Sequence, residues 1–260
     1  MNEEVLLYEV QNGVATLSLN RPAKYNSFTR ELALAMQAAL DQAKEDEEVR
    51  AICITGMGKA FCAGQDLAEV TAEGGPSLSK IISEHLNPII RRIREIEKPV
   101  VAAVNGVAAG AGASIALASD ISIATESASF IQAFSKIGLI PDSGATYHLP
   151  RLIGLQRATA LMMLGEKVSA SDAAQMGMIY RAVPDADFQK TIQDLLTKLA
   201  QMPTRALGLT KRALNCSLEN NLDKQLSIEE HIQSDAGLSE DYQEGVKAFI
   251  EKRKPQFTGK

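Results

Sequence analysis

Cysteine is scarce in this chain: Cys53, Cys62 and Cys216 are the only three, an odd and widely spaced set with no C-x-x-C. That excludes a disulfide framework and a cysteine zinc site, and lone thiols fit a reducing cytoplasm. Histidine is equally sparse. No two of His85, His148 and His231 have metal-ligand spacing, so no metal is expected. Positive charge is not in excess either, because 27 Lys and Arg stand against 32 Asp and Glu for a net charge of −5. Nucleic acid and anionic membrane surfaces are therefore poor candidates as main partners. The acidic N-terminus has no apolar h-region, so no secretion signal is expected.

What is present is an ordinary globular composition, 45% hydrophobic and 23% charged over 260 residues. That suits one large domain, or one domain with an appendage. The chain centres on Lys98–Asp120, a stretch with no charge between its ends. Its small residues and internal Asn make it a poor membrane span. Val100–Val104 behind Pro99 has the length and branching of a buried strand. Asn105-Gly106 and Gly110-Ala111-Gly112 then bend the chain, and Ser114–Ala118 opens an apolar helix. A strand, a glycine bend and a helix start together aim bare backbone N–H groups at negative charge. The spacing is not G-x-G-x-x-G, and Gly58-Lys59 lacks the first P-loop glycine because Cys53 occupies it. Plain close packing of helix on strand is the competing reading of the same glycines.

Elsewhere, Asn12-Gly13 between Val5–Val10 and Val14–Asn20 signals a hairpin. Glu31–Lys44 reads as an amphipathic helix capped by Thr29, and Val49–Thr55 as a strand. Helix is expected over 79–97, 144–164 and 169–176, with short strands at 120–124 and 179–183. Residues 130–138 fit either state. The remainder is all helix, over 185–201, 204–219, 221–236 and 239–253. Pro203 and that shift in pattern divide the chain into a core, 1–197, and a C-terminal helical module, 198–260. Helices between roughly parallel strands make the fold class α/β. Five cations (Lys247, Lys252, Arg253, Lys254, Lys260) crowd the last residues, either as a solvated tail or as an anion site.

Four ordered motifs run through the chain. They are Leu19-Asn20-Arg21-Pro22 with Asn26-Ser27-Phe28, Phe61–Leu67 (FCAGQDL), Lys98–Gly112 (KPVVAAVNGVAAGAG) and Gly138-Leu139-Ile140-Pro141. With them the sequence resembles the crotonase, or enoyl-CoA hydratase/isomerase, family from end to end. Ala133–Asp142 and Glu244–Lys260 are most similar to the branch that isomerises epoxyphenylacetyl-CoA in phenylacetate breakdown. The resemblance implies a crotonase (ClpP-like) spiral of ββα units, with the C-terminal helices building a homotrimer or a hexamer of paired trimers. It implies an acyl-CoA substrate and no separate cofactor, coenzyme A being part of the substrate.

The resemblance also assigns residues. Backbone N–H groups of Gln65 and Ala111 match those that hold the thioester oxygen, a pairing suited to a developing enolate. The two glutamates with which family hydratases handle water match Ser114 and Phe134, neither of which can act as a carboxylate. The acid left near the pocket is Asp142, at a position where related isomerases place an aspartate. One carboxylate can move a proton between two carbons without activating water. An apolar surround containing Phe134 and Ile140 would raise its pKa. Ala63, Asp66 and Leu67 match the stretch that holds CoA, Lys24 and Lys252 match phosphate-binding places, and Phe249 could lie against adenine. Tyr147 and His148 are either acyl wall or helix surface. The expectation is a cytoplasmic acyl-CoA isomerase; a 2-enoyl-CoA hydratase and a non-catalytic crotonase-fold subunit are the alternatives.

Overall fold

In a computed structural model that describes residues 4–260, Asn12 and Gly13 both take positive φ, 51° and 78°. They turn β1 (Leu6–Gln11) into β2 (Val14–Leu19), the two-residue hairpin that such a pair favours. Residues 1–3 of the expected core lie outside the described residues. Thr29 caps α1 (Arg30–Glu45) by accepting the Leu32 N–H at 3.4 Å. The helix buries Leu32, Met36 and Leu40 at helical spacing, and β3 (Ala51–Gly56) follows.

From here each long strand turns a corner into a short one. After β3 comes β4 (Ala60–Cys62), after β5 (Val100–Val104) comes β6 (Val107–Ala109), and after β7 (Ile121–Thr125) comes β8 (Ser129–Ile131). Between them lie α2 (Leu67–Thr71), α3 (Leu78–Lys80), a π-helical segment Ile81–Leu86, α4 (Asn87–Glu95) and α5 (Ala111–Ala118). A 3-10 turn over Ala133–Ile137 leads to α6 (Ala145–Ile153) and α7 (Leu155–Leu164). Then come β9 (Lys167–Ser169), α8 (Ala170–Gln175), β10 (Arg181–Val183), α9 (Phe188–Ala200), α10 (Thr204–Ser217), α11 (Leu222–Gly237) and α12 (Glu240–Glu251).

Two sheets result. The larger runs β1-β2-β3-β5-β7-β10, and the smaller β4-β6-β8-β9. Only the β1/β2 and β8/β9 pairs are antiparallel. Because side chains alternate across a strand, β5 sends Val100, Ala102 and Val104 into one core and Val101 and Ala103 into another. Helices α1, α4 and α5 face the first core, while Phe188, Ile192, Leu196 and Leu199 of α9 cover the second. A parallel sheet needs both faces covered in this way.

Helix is found where expected over 79–97, running from Leu78 to Glu95 with a π-helical segment at Ile81–Leu86 inside it. Two other expectations are corrected and one open reading is resolved. The rod over 144–164 breaks at Gly154, whose φ of 80° no continuous helix holds. The apolar helix begins at Ala111, three residues before Ser114. Residues 130–138 divide into the end of β8 and the 3-10 turn.

The C-terminal helices lock back onto the core. Asp120 accepts Lys211 Nζ at 2.8 Å and Arg94 Nη1 at 3.1 Å, and Lys211 also donates to the Ile93 carbonyl. Buried Asp241 receives the N–H groups of Thr258 and Gly259 at 2.6 and 2.8 Å. Lys260 reaches Glu47 at 2.9 Å, and Arg253 pairs with Glu244 and Glu251, so part of the basic tail is internally neutralised. Among the described residues no helix is long and apolar enough to cross a membrane. Ile54, fully buried on β3, is a test of the first core. Ile54→Ala is expected to cost about 2–5 kcal/mol in urea unfolding with an unchanged slope.

Candidate active site

Parallel pairing of β4 with β6, Ala60 opposite Val107 and Cys62 opposite Ala108, brings the two glycine bends to one edge. After β4, nearly every backbone donor has a protein acceptor. Ala63 N–H bonds Tyr25 O at 2.9 Å, Gly64 N–H bonds Cys62 Sγ at 3.4 Å and Asp66 N–H bonds Phe28 O at 2.8 Å. Gln65 N–H has none among the described residues. After β6, Gly110 N–H goes to Ile131 O at 2.9 Å. Ala111 opens α5, so its N–H is one of the helix-start donors without an intrahelical partner. Two consecutive accounts thus leave two unused donors on adjoining loops.

The bends are in contact. Gly64 has φ 92°, and a Cβ there would stand 3.0 Å from Ala109 O and 3.4 Å from Ala111 N. Gly112 presses on β4 so tightly that a Cβ would meet Cys62 O at 2.2 Å. The close-packing reading therefore holds for Gly112, and it is this packing that sets the bends side by side.

Gln65 and Ala111 line a cavity of about 230 Å³, together with Ala63, Gly64 and Gly110. Leu67 and Val70 of α2, then Leu78, Ile81, Ile82 and Leu86, form the facing wall. Phe134, Ile137 and Leu139 close another side. Asp142 is the one acid on this lining and Lys136 the one base. Burial pushes the Asp142 carboxyl above its usual value near 3.8, against the opposing bond from Ser143. Ser143 Oγ donates to Asp142 Oδ1 at 2.9 Å. Ile140, expected in this wall, is 80% exposed and absent from it. The chain turns it outward and supplies Leu139 instead.

Ser114 and Phe134, the two positions expected to match hydratase glutamates, offer no carboxylate. Ser114 is buried and its hydroxyl is engaged with backbone carbonyls. The Phe134 ring lies over Gly110, whose Cβ position is 3.6 Å from Phe134 Cζ.

The other expected residues are placed as follows. Asp66 turns its carboxylate to Arg21 at 2.9 Å and caps α2 through the Ala68 N–H at 3.1 Å. Burial raises its pKa, but those bonds and the charges of Arg21 and Lys24 outweigh it and hold the group low. Lys24 ends an exposed 3-10 turn, and Phe249 and Lys252 lie on the outer surface of α12. None of these four lines the cavity. Phe249 instead edges an open groove of about 610 Å³, and a wider one of about 680 Å³ runs between α10 and α11. Both grooves are larger than the cavity but include neither glycine bend nor Asp142. Tyr147 and His148 are likewise off the lining. The Arg151 guanidinium stacks 3.8 Å from the Tyr147 ring. Burial, then Arg94 and Arg151, push His148 down to about 4.

Sequence reasoning did not name the helical wall or Lys136. The signal for the wall was available: Ile81, Ile82 and Leu86 give more apolar surface than one helical stripe onto the core requires.

A family model described as enoyl-CoA hydratase/isomerase matches residues 9–260. The chain belongs to the enoyl-CoA hydratase/isomerase family. Within that family it is 48% identical to the 1,2-epoxyphenylacetyl-CoA isomerase of Escherichia coli K12, covering 99% of both chains. It is 44% identical to a protein of Rhodobacter capsulatus described as a probable enoyl-CoA hydratase, covering both chains completely. The crystal structure of an enoyl-CoA hydratase from Bacillus anthracis superposes with a TM-score of 0.92 at 32% identity, over 98% of this chain and all of that one. The crotonase-type architecture expected from the motifs is thus the observed one.

Four outcomes test the geometry and the electrostatics. Gly112→Ala must drive α5 off β4 and spread the bends, so kcat/KM toward the enzyme's acyl-CoA is expected to fall about a hundredfold. Asp142 must be ionised to act as a base, and its pKa is raised, so the acid limb of kcat/KM should lie above the ordinary carboxylate value. Ser143→Ala removes the one bond that lowers that pKa, and the limb should move to still higher pH. The same sign holds for stability: Asp142 favours folding below its unfolded pKa, and that contribution is lost as pH rises through the raised folded value.

Proposed function

We propose that this protein is an acyl-CoA isomerase that converts 1,2-epoxyphenylacetyl-CoA to the oxepin-CoA and also shifts 3-enoyl-CoA to 2-enoyl-CoA. The observation that carries the reading is a single acid, Asp142, in a cavity that also contains two unused backbone donors. Gln65 N–H and Ala111 N–H hold the thioester oxygen. Asp142 takes a proton from the carbon next to the thioester, and the electron pair spreads onto that oxygen as an enolate. Two preorganised donors stabilise charge developing there, and removing one such donor in other enzymes costs about 10²–10³ in rate.

The proton then returns two carbons farther along. In a linear 3-enoyl chain this moves the double bond into conjugation. In the ring epoxide, the bond between the two oxygen-bearing carbons opens and the proton passes from the side-chain carbon to the ring. Both reactions conserve every atom, and neither consumes water. The likeness to the Escherichia coli isomerase supports the ring substrate, and the apolar walls from Ile81, Leu86 and Phe134 suit an aromatic or aliphatic acyl group.

The CoA portion runs outside the acyl cavity in this reading, past Ala63, Asp66 and Leu67, with Lys24, Lys252 and Phe249 at its nucleotide end. Exposed Leu226, Leu238, Phe249 and Ile250 on the C-terminal helices support assembly into trimers or hexamers, since apolar surface of this kind favours association. A cytoplasmic location agrees with the three free thiols.

The likeness to the Rhodobacter protein favours a second reading, hydration of a 2-enoyl-CoA. Prepared epoxyphenylacetyl-CoA and a 3-enoyl-CoA should both turn over, while crotonyl-CoA keeps its enoyl absorbance. Asp142→Asn is expected to lower both isomerisations by about 10²–10⁴, with binding of a non-reacting CoA ester largely retained. Loss of crotonyl absorbance would replace this reading with the hydratase, and undiminished turnover by that variant would remove the role given to Asp142.

A further inference from the structure

Ser114 is fully buried one turn into α5. Its Oγ stands 3.1 Å from Gly110 O and 3.3 Å from Asp142 O. The first acceptor is local, four residues back, the bond that serine often makes inside a helix. The second is 28 residues on and belongs to the residue carrying the cavity's acid. Among the described residues no other hydrogen bond joins α5 to the Asp142–Gly144 loop. Gly110 directly precedes Ala111, which lines the cavity. One hydroxyl proton, shared between the two carbonyls in a three-centre bond, therefore links the backbones that carry Ala111 N–H and the Asp142 carboxylate.

We propose that Ser114 is a positioning residue for proton transfer. It fixes the carboxylate of Asp142 relative to Ala111 N–H, so that one bound acyl group presents both reacting carbons to one oxygen. In the forward half the carbon-bound proton leaves as an O–H bond forms on Asp142, and the electron pair moves to the thioester oxygen. In the second half that O–H bond breaks as the new C–H bond forms. A well-placed carboxylate completes both halves before its proton exchanges with solvent; a loosened one loses the proton in between. The inference rests on the role given to Asp142 above.

The test is turnover of a 3-enoyl-CoA in deuterium oxide by Ser114→Ala, with the fraction of product carrying deuterium measured. Expected are a fall in kcat of about ten- to a hundredfold, a nearly unchanged KM, and a larger deuterated fraction than in the parent. Ser114→Cys, of similar size but a weaker donor, should fall between and carries the test should the alanine variant fold poorly. An unchanged kcat overturns the proposal. So does a parallel loss of kcat, ester affinity and melting temperature with the deuterated fraction unmoved, since that marks a merely structural serine. Asp142→Asn measured alongside separates the claims. Turnover retained there removes the acid's role and this inference with it. Turnover lost there, with Ser114→Ala matching the parent, overturns the serine alone.

Discussion

The whole site depends on the parallel pairing of two three-residue strands. β4 and β6 are too short to be stable alone, yet each continues from a long strand of the main sheet. Their register, Cys62 opposite Ala108, brings the following bends into step. Gly112 then removes the last obstacle, because any side chain there would collide with the Cys62 carbonyl. The cavity lies at the carboxyl ends of β4, β6 and β8, where successive loops of parallel strands diverge. Open parallel sheets offer their ligand sites at such ends for the same geometric reason.

Once the bends meet, hydrogen-bond bookkeeping does the rest. The segment Cys62–Asp66 satisfies its donors against Tyr25, Phe28 and its own cysteine sulfur, and this leaves Gln65 N–H over. The Gln65 side chain is anchored separately, through Nε2 to Glu69 at 2.9 Å, while Glu69 also caps the start of α1 through Arg30 N–H. The β4 bend is therefore fixed from both sides. A donor that is already oriented strengthens its bond to a developing charge without a reorganisation cost.

Much of this was legible in the sequence, for reasons visible in single residues. Thr29, Asn12-Gly13 and the Val100–Val104 run each act locally, so the helix, hairpin and central strand could be read directly. The short strands of the small sheet could not, since three residues show no periodicity and gain their pairing only from neighbours remote in sequence. The π segment was hidden because Ile81–Leu86 has an ordinary helical composition. Ile140 misled in another way. Its apolar character suggested a wall, but the turn toward Pro141 sends it to solvent and Leu139 inward. The Gly110–Gly112 bend could be read from its own residues as a source of bare N–H groups, whereas Gln65 and Asp142 entered only through the resemblance: a free backbone N–H has no residue type of its own, and Pro-Asp-Ser-Gly is also an everyday turn.

Chemistry here is selected as much by what is missing as by what is supplied. In the proposed isomerase reading the lack of a carboxylate at Phe134 and Ser114 matters, because hydration needs a second group to orient and deprotonate water. A lone carboxylate facing a carbon acid then has two opposed requirements. It must be basic enough to take the proton, which burial among Phe134, Leu139 and the helical wall provides, yet acidic enough to give it back. Ser143, held at φ 52° where few side chains sit comfortably, supplies the counterweight by donating to the same carboxylate. A glycine there would relax the backbone but would remove the one bond that lowers the carboxyl's pKa.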